Sequence, residues 1–99
     1  MSGHVIRRVI VRGRVQGVGY RDWTRHVARG RGLEGWVRNR RDGSVEALFA
    51  GSDEAVAGMI EACRKGPPIA VVESIEQDEA SGTDLALRGD KGFAVLPSA

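Results

Sequence analysis

A single cysteine, Cys63, stands in the chain, so neither an internal disulfide nor a cysteine-built metal centre is available. Its place on the apolar face of an expected helix makes it a small core residue. Only two histidines occur, His4 and His26. They lie far apart, neither has a carboxylate or histidine neighbour at ligand spacing, and His26 is expected at a solvated helix position. No apolar run approaches the ~20 residues that cross a bilayer, and the first residues lack the charged, apolar and small-residue succession of a secretory signal. No membrane association is therefore expected, and a cytoplasmic enzyme or binding module is the default. Two standard phosphate signatures are missing as well. No lysine-serine or lysine-threonine pair follows a glycine loop, and no long parallel βαβ series offers a dinucleotide fold.

What is present is ordinary in amount and uneven in arrangement. With 41% hydrophobic and 28% charged residues the composition is that of a soluble globular protein. A length of 99 residues suffices for one core and not for two, so residues 1–99 are expected to form a single domain. The net charge is only +2, yet residues 1–41 hold eleven of the fifteen Lys and Arg and two of the thirteen Asp and Glu. That is a balance of +9 in the first part against −7 in the rest. The asymmetry points to an anionic ligand met by the N-terminal half, with most of these arginines on a solvated surface.

The hydrophobic pattern predicts a first strand from Val5 to Arg12, with Val9 and Val11 on one face and Arg8, Ile10 and Arg12 on the other. A helix from Asp22 to Arg29 should present Trp23 and Val27 inward and stop at Gly30-Arg31-Gly32. A second strand, Gly35 to Arg40, meets Asp42-Gly43, a strong hairpin signal. A third strand, Ser44 to Ala50, turns Val45, Ala47 and Phe49 to the core. Ser52 and the acids Asp53 and Glu54 open a second helix whose Val56, Met59, Ile60 and Cys63 recur at i, i+3, i+4 and i+7. Arg64-Lys65-Gly66-Pro67-Pro68 closes it. A fourth strand covers Ile69 to Gln77, Glu79 to Lys91 reads as an exposed loop, and Phe93 to Leu96 forms a short last strand stopped by Pro97. The order βαββαβ is that of a ferredoxin-like α/β sandwich, an α+β fold with an antiparallel sheet and two helices on one face.

Within this order the stretch Gly13-Arg14-Val15-Gln16-Gly17-Val18-Gly19-Tyr20-Arg21 joins a strand to a helix through a glycine-punctuated turn. Glycine tolerates positive φ and lets the backbone approach a ligand, so N–H groups between Gln16 and Arg21 can point into one concavity at a helix N-terminus. The planar, permanently charged fork of Arg21 matches two phosphate oxygens at once. In this topology strands one and two run parallel, which brings the turn close to Asn39. An uncharged amide both donates to and accepts from water, so Arg21 and Asn39 together could hold a phosphoryl group and aim a nucleophile. A plain tight connection, the more frequent use of such glycines, and a hairpin-opening role for Asn39 are the alternatives at this point.

Gly13 to Arg21, Gly35-Trp36-Val37-Arg38-Asn39, the following Asp42-Gly43-Ser44-Val45-Glu46 and Gly66-Pro67 closely resemble the acylphosphatase family over nearly the whole chain. The resemblance implies a ferredoxin-like sandwich that hydrolyses the carboxyl–phosphate mixed anhydride. By the same resemblance Gln16, Gly17, Val18, Gly19, Tyr20 and Arg21 bind phosphate, Arg21 is the catalytic arginine and Asn39 orients the attacking water. It implies an acyl phosphate as substrate, inorganic phosphate or sulfate as product or inhibitor, no metal, no other cofactor, no nucleic acid and no membrane; a monomer is expected. Relatives carry a bulkier apolar residue near Arg31, which implies looser packing there, and the ending Leu96-Pro97-Ser98-Ala99 leaves the extent of the last strand open. The alternatives are a non-catalytic phosphate-binding module and an RNA-binding module of the same topology. RNA-binding modules stack bases on aromatic side chains of the central strands, where this chain offers only Phe49 in a core phase.

Overall fold

A computed structural model of the chain describes residues 4–99. Its elements are β1 (His4–Arg14), α1 (Tyr20–Gly30), β2 (Glu34–Asn39), β3 (Val45–Ser52), α2 (Asp53–Cys63), β4 (Val71–Glu79), the short helix α3 (Gly82–Leu85) with a 3-10 turn at Ala86–Arg88, and β5 (Phe93–Val95). The strands lie in the order β4-β1-β3-β2-β5, antiparallel except for β5, which pairs parallel with β2. β1 and β2 both pair antiparallel with β3 between them, so they point the same way. Their C-terminal ends, and whatever follows them, share one end of the sheet.

α1 and α2 cover one face of this sheet. Val9 and Val11 of β1, Val37 of β2, and Val45, Ala47 and Phe49 of β3 pack there with Val56, Met59, Ile60 and Cys63 of α2. Phe93 of β5 is stacked on Phe49 with ring centroids 5.9 Å apart. Burying one such side chain contributes about 2 kcal/mol, which explains how a three-residue strand is held at the sheet edge. α1 meets this core along Tyr20, Thr24 and Ala28, with Trp23 and Val27 half-buried at its flanks. The inward stripe is therefore turned from the Trp23 and Val27 pair that the sequence suggests. The helix starts two residues earlier than expected, and small Ala28 and back-bonded Thr24 allow it a closer approach than Trp23 would.

The opposite face is largely charged. Glu46, 4% exposed, lies between Arg38 at 2.7 Å and Arg8 at 3.3 Å. Arg8 also reaches Asp78, and Arg12 pairs with Glu76 and Asp42. The basic N-terminal half thus meets the acidic remainder across its own sheet, and these arginines are spent on internal pairs rather than on a ligand. The segment from Glu79 to Lys91 is mostly exposed as expected, but it is not all loop: Glu79 ends β4 and helical turns follow. A capping box between Ser81 and Asp84 folds it into α3. Leu85 and Ala80 then cover Trp36, Leu48 and Ala94 on this second face, and the Trp36 indole N–H donates to the Asp84 carbonyl at 2.8 Å. Arg31 itself is exposed. Its guanidinium lies over Gly58 of α2, where a Cβ would come within 2.8 Å of it.

Candidate active site

The loop after β1 is built so that its backbone stays open. Gly17 and Gly19 have φ of 73° and 79°, conformations that side chains resist. Gly19 is also the N-cap of α1, and it has no side chain with which to bond the helix's first N–H groups. The first helical hydrogen bond runs from the Trp23 N–H to the Gly19 carbonyl at 3.1 Å. Among the described residues no protein acceptor takes the N–H groups from Gly17 to Asp22. α2 is the counter-example within the same chain: Ser52 accepts from the Ala55 N–H and closes its N-terminus.

Tyr20 anchors this loop from beneath. It is 2% exposed, and its hydroxyl donates to the Cys63 carbonyl at 2.6 Å. Its side chain belongs to the core, so only its N–H is available to a ligand. Burial raises the pKa of the Tyr20 phenol and pushes the Cys63 thiol up to about 12. Val18 likewise packs against the core. Arg21 is different. As the second residue of the helix it is exposed and forms no hydrogen bond or ion pair among the described residues.

Asn39 ends β2. It shares a face with Val37, the helix side of the sheet, and its carbonyl accepts from the Ala99 N–H at 3.0 Å. Its carboxamide has no protein partner among the described residues and is only half-buried. Gln16, Gly17, Gly19, Tyr20, Arg21 and Asn39 line a single recess of about 250 Å³, closed by Val15, Asp22 and Val95. Open amides, an unpaired guanidinium and an unpaired carboxamide thus face one volume, a combination that suits a tetrahedral anion with a water beside it. Of the residues expected at this site, all but Val18 line the recess. Val15 and Val95 escaped the sequence reading because apolar strand residues carry no mark that separates a recess wall from a core.

Topology and recess together define an α+β sandwich of ferredoxin-like order with an anion cradle at one end of its sheet. A profile of the acylphosphatase family matches residues 7–94. An acylphosphatase of Bradyrhizobium diazoefficiens is 57% identical over 95 residues, covering 94% of this chain and 95% of that relative. The crystal structure of acylphosphatase from Bacillus subtilis is 39% identical with a TM-score of 0.81, covering 93% of this chain and 98% of its own. An acylphosphatase structure from Coxiella burnetii is 30% identical with a TM-score of 0.82, covering 94% and 93%. The chain belongs to the acylphosphatase family.

Proposed function

We propose that the chain, acting as one domain, hydrolyses acyl phosphates to a carboxylate and inorganic phosphate, with Arg21 and the loop amides holding the phosphoryl group and Asn39 placing the water. The observation that carries this reading is the convergence of three unpartnered polar elements, the Gly17 to Asp22 amides, Arg21 and Asn39, around one recess. The leaving group is the conjugate base of an acid with a pKa of about 4, so it departs without a protein acid. What remains is to hold three phosphoryl oxygens, offset their charge and set a water in line. Water attacks phosphorus opposite the acyl oxygen, the phosphorus–oxygen bond to the carboxylate breaks, and the proton of the water passes to a phosphoryl oxygen of the substrate. No protein base and no metal ion is required by this route. Inorganic phosphate or sulfate competes for the cradle. The same proposal places the protein in the cytoplasm as a monomer that binds neither nucleic acid nor membrane; Phe49 of β3 is buried in the core and Trp36 of β2 is buried beneath Ala80 and Leu85, so neither offers a base-stacking platform.

The test is phosphate release from benzoyl phosphate, with a chelator present, by the native chain and Asn39→Ala. By analogy with removing one preorganised active-site group, kcat should fall on the order of 10²-fold or more while the inhibition constant of inorganic phosphate changes little. An unchanged kcat in Asn39→Ala, whatever its melting temperature, refutes the water-positioning role.

A further inference from the structure

Gln16 ties the cradle to the strand end that carries Asn39. Its Nε2 donates two hydrogen bonds, each 2.8 Å, to the carbonyls of Arg40 and Ser44. These two residues form the neck of the turn between β2 and β3: the Arg40 N–H donates to the Ser44 carbonyl at 2.9 Å, and the Gly43 N–H to the Arg40 carbonyl at 3.1 Å. The pair next to that neck is Asn39 with Val45, the last rung between the two strands. Both protons of one carboxamide therefore clamp the hairpin one step beyond Asn39. On its other side Asn39 is held through its carbonyl by the Ala99 N–H. Between Gln16 and the buried Tyr20, Gly17 and Gly19 bring no side chains that could tie the cradle to this hairpin.

We infer that Gln16 is a positioning residue for the hydrolysis, its carboxamide fixing how far the phosphoryl group in the cradle lies from the water held by Asn39. With both protons committed to carbonyls, the side chain has no donor left for a phosphate oxygen, and any contact of Gln16 with substrate runs through its main chain. The inference rests on the reading of Asn39 given above. It also explains why an amide stands here. The two acceptors to be bridged are neutral carbonyls of the same turn, which require a side chain with two donors and no charge.

The experiment is a double-mutant cycle. Gln16→Met keeps length and volume without the donors. In the native background its kcat for benzoyl phosphate should fall about 10-fold to 100-fold, the scale of a small misplacement of reacting groups, while the inhibition constant of inorganic phosphate moves less than about 3-fold. In the Asn39→Ala background the same substitution should take almost nothing further from kcat, because the group it positions is gone. Gln16→Glu supplies a second readout. Its carboxylate faces two carbonyls and cannot donate, whereas its neutral acid has one proton to give, so its kcat relative to the native chain should recover as pH is lowered. This readout carries the test if Gln16→Met fails to fold. Equal fold-losses of kcat in both backgrounds, a kcat for Gln16→Met within about 2-fold of native, or a pH-independent ratio for Gln16→Glu overturns the role of Gln16. A normal kcat in Asn39→Ala alone instead removes the underlying reading of Asn39.

Discussion

Arg21 and Tyr20 are neighbours with opposite fates, and the difference is one of helix phase. Tyr20 begins the stripe that continues through Thr24 and Ala28 into the core, while Arg21, one position on, is swung outward over the recess. Its fork can therefore grip two oxygens without disturbing the packing beneath. Arg21→Lys retains the charge but replaces a planar pair of donors by a point, so kcat/KM should drop by about 10²-fold, roughly 3 kcal/mol, with the melting temperature unchanged. Steady-state kinetics on the lysine variant is the measurement; near-native values would make Arg21 an ordinary surface charge. That Tyr20 and Arg21 stand where a glycine-punctuated turn passes into a helix was readable in the chain, because glycines and the polar residues that follow them are local signals. What Gln16 does was not readable. Its partners Arg40 and Ser44 lie more than twenty positions away, and they are met through backbone carbonyls that every residue possesses.

The two main helices show how differently a helix start can be finished. Ser52 closes α2 with a hydrogen bond from the Ala55 N–H, and Asp53 and Glu54 add favourable charge to its first turn. α1 begins on Gly19 with open amides. Ser52→Ala should cost about 1 kcal/mol of folding stability and leave kcat and KM as they are, since α2 caps itself for the fold alone. Urea unfolding together with the benzoyl phosphate assay checks both halves of that statement. The pattern of α2 was legible throughout, because Val56, Met59, Ile60 and Cys63 answer a single helical period. Segment 79–91 was not: its residues are mostly polar, and the reason it folds over the sheet is the pocket beside Trp36 and Leu48, which exists only after β2, β3 and β5 have assembled. The end of α1 was legible in full. Gly32 at φ 71° lets the Leu33 N–H return to the Ala28 carbonyl at 2.9 Å, as the Gly-Arg-Gly spelling suggests.

For the molecule as a whole, the groups that titrate abnormally bracket its range of stability. On the acid side the Ser44 hydroxyl and N–H hold the Asp42 carboxyl down to about 2. A carboxyl lowered in the fold adds stability above its unfolded value of 3.8, and that contribution fades as pH falls toward about 2. On the alkaline side burial raises the Cys63 thiol from 9.0 to about 12, so the fold keeps it neutral while the unfolded chain ionises it. Its contribution is complete below 9.0 and declines as pH rises from there toward 12. The melting temperature should therefore fall above about pH 9, and Cys63→Ala should delay that fall until the Tyr20 phenol, ordinarily 10.0, begins to matter. Thermal unfolding followed across this interval tests it; an identical alkaline decline in both proteins would assign the effect elsewhere. The charge asymmetry of the chain finds its use at this scale too, in the pairs that Arg8, Arg12 and Arg38 make with acids from β3, β4 and the hairpin turn. Among these, Glu46 faces an arginine on each neighbouring strand. If β3 slipped by one residue, the carboxylate would swing to the helix side among Val9, Val37 and Met59, where nothing compensates its charge, and the Phe49 ring would swing out to the opposite face. The buried acid thus discriminates among folding outcomes: it penalises misaligned sheets in a chain still forming, and it makes the central strand a poor template for another molecule seeking a partner.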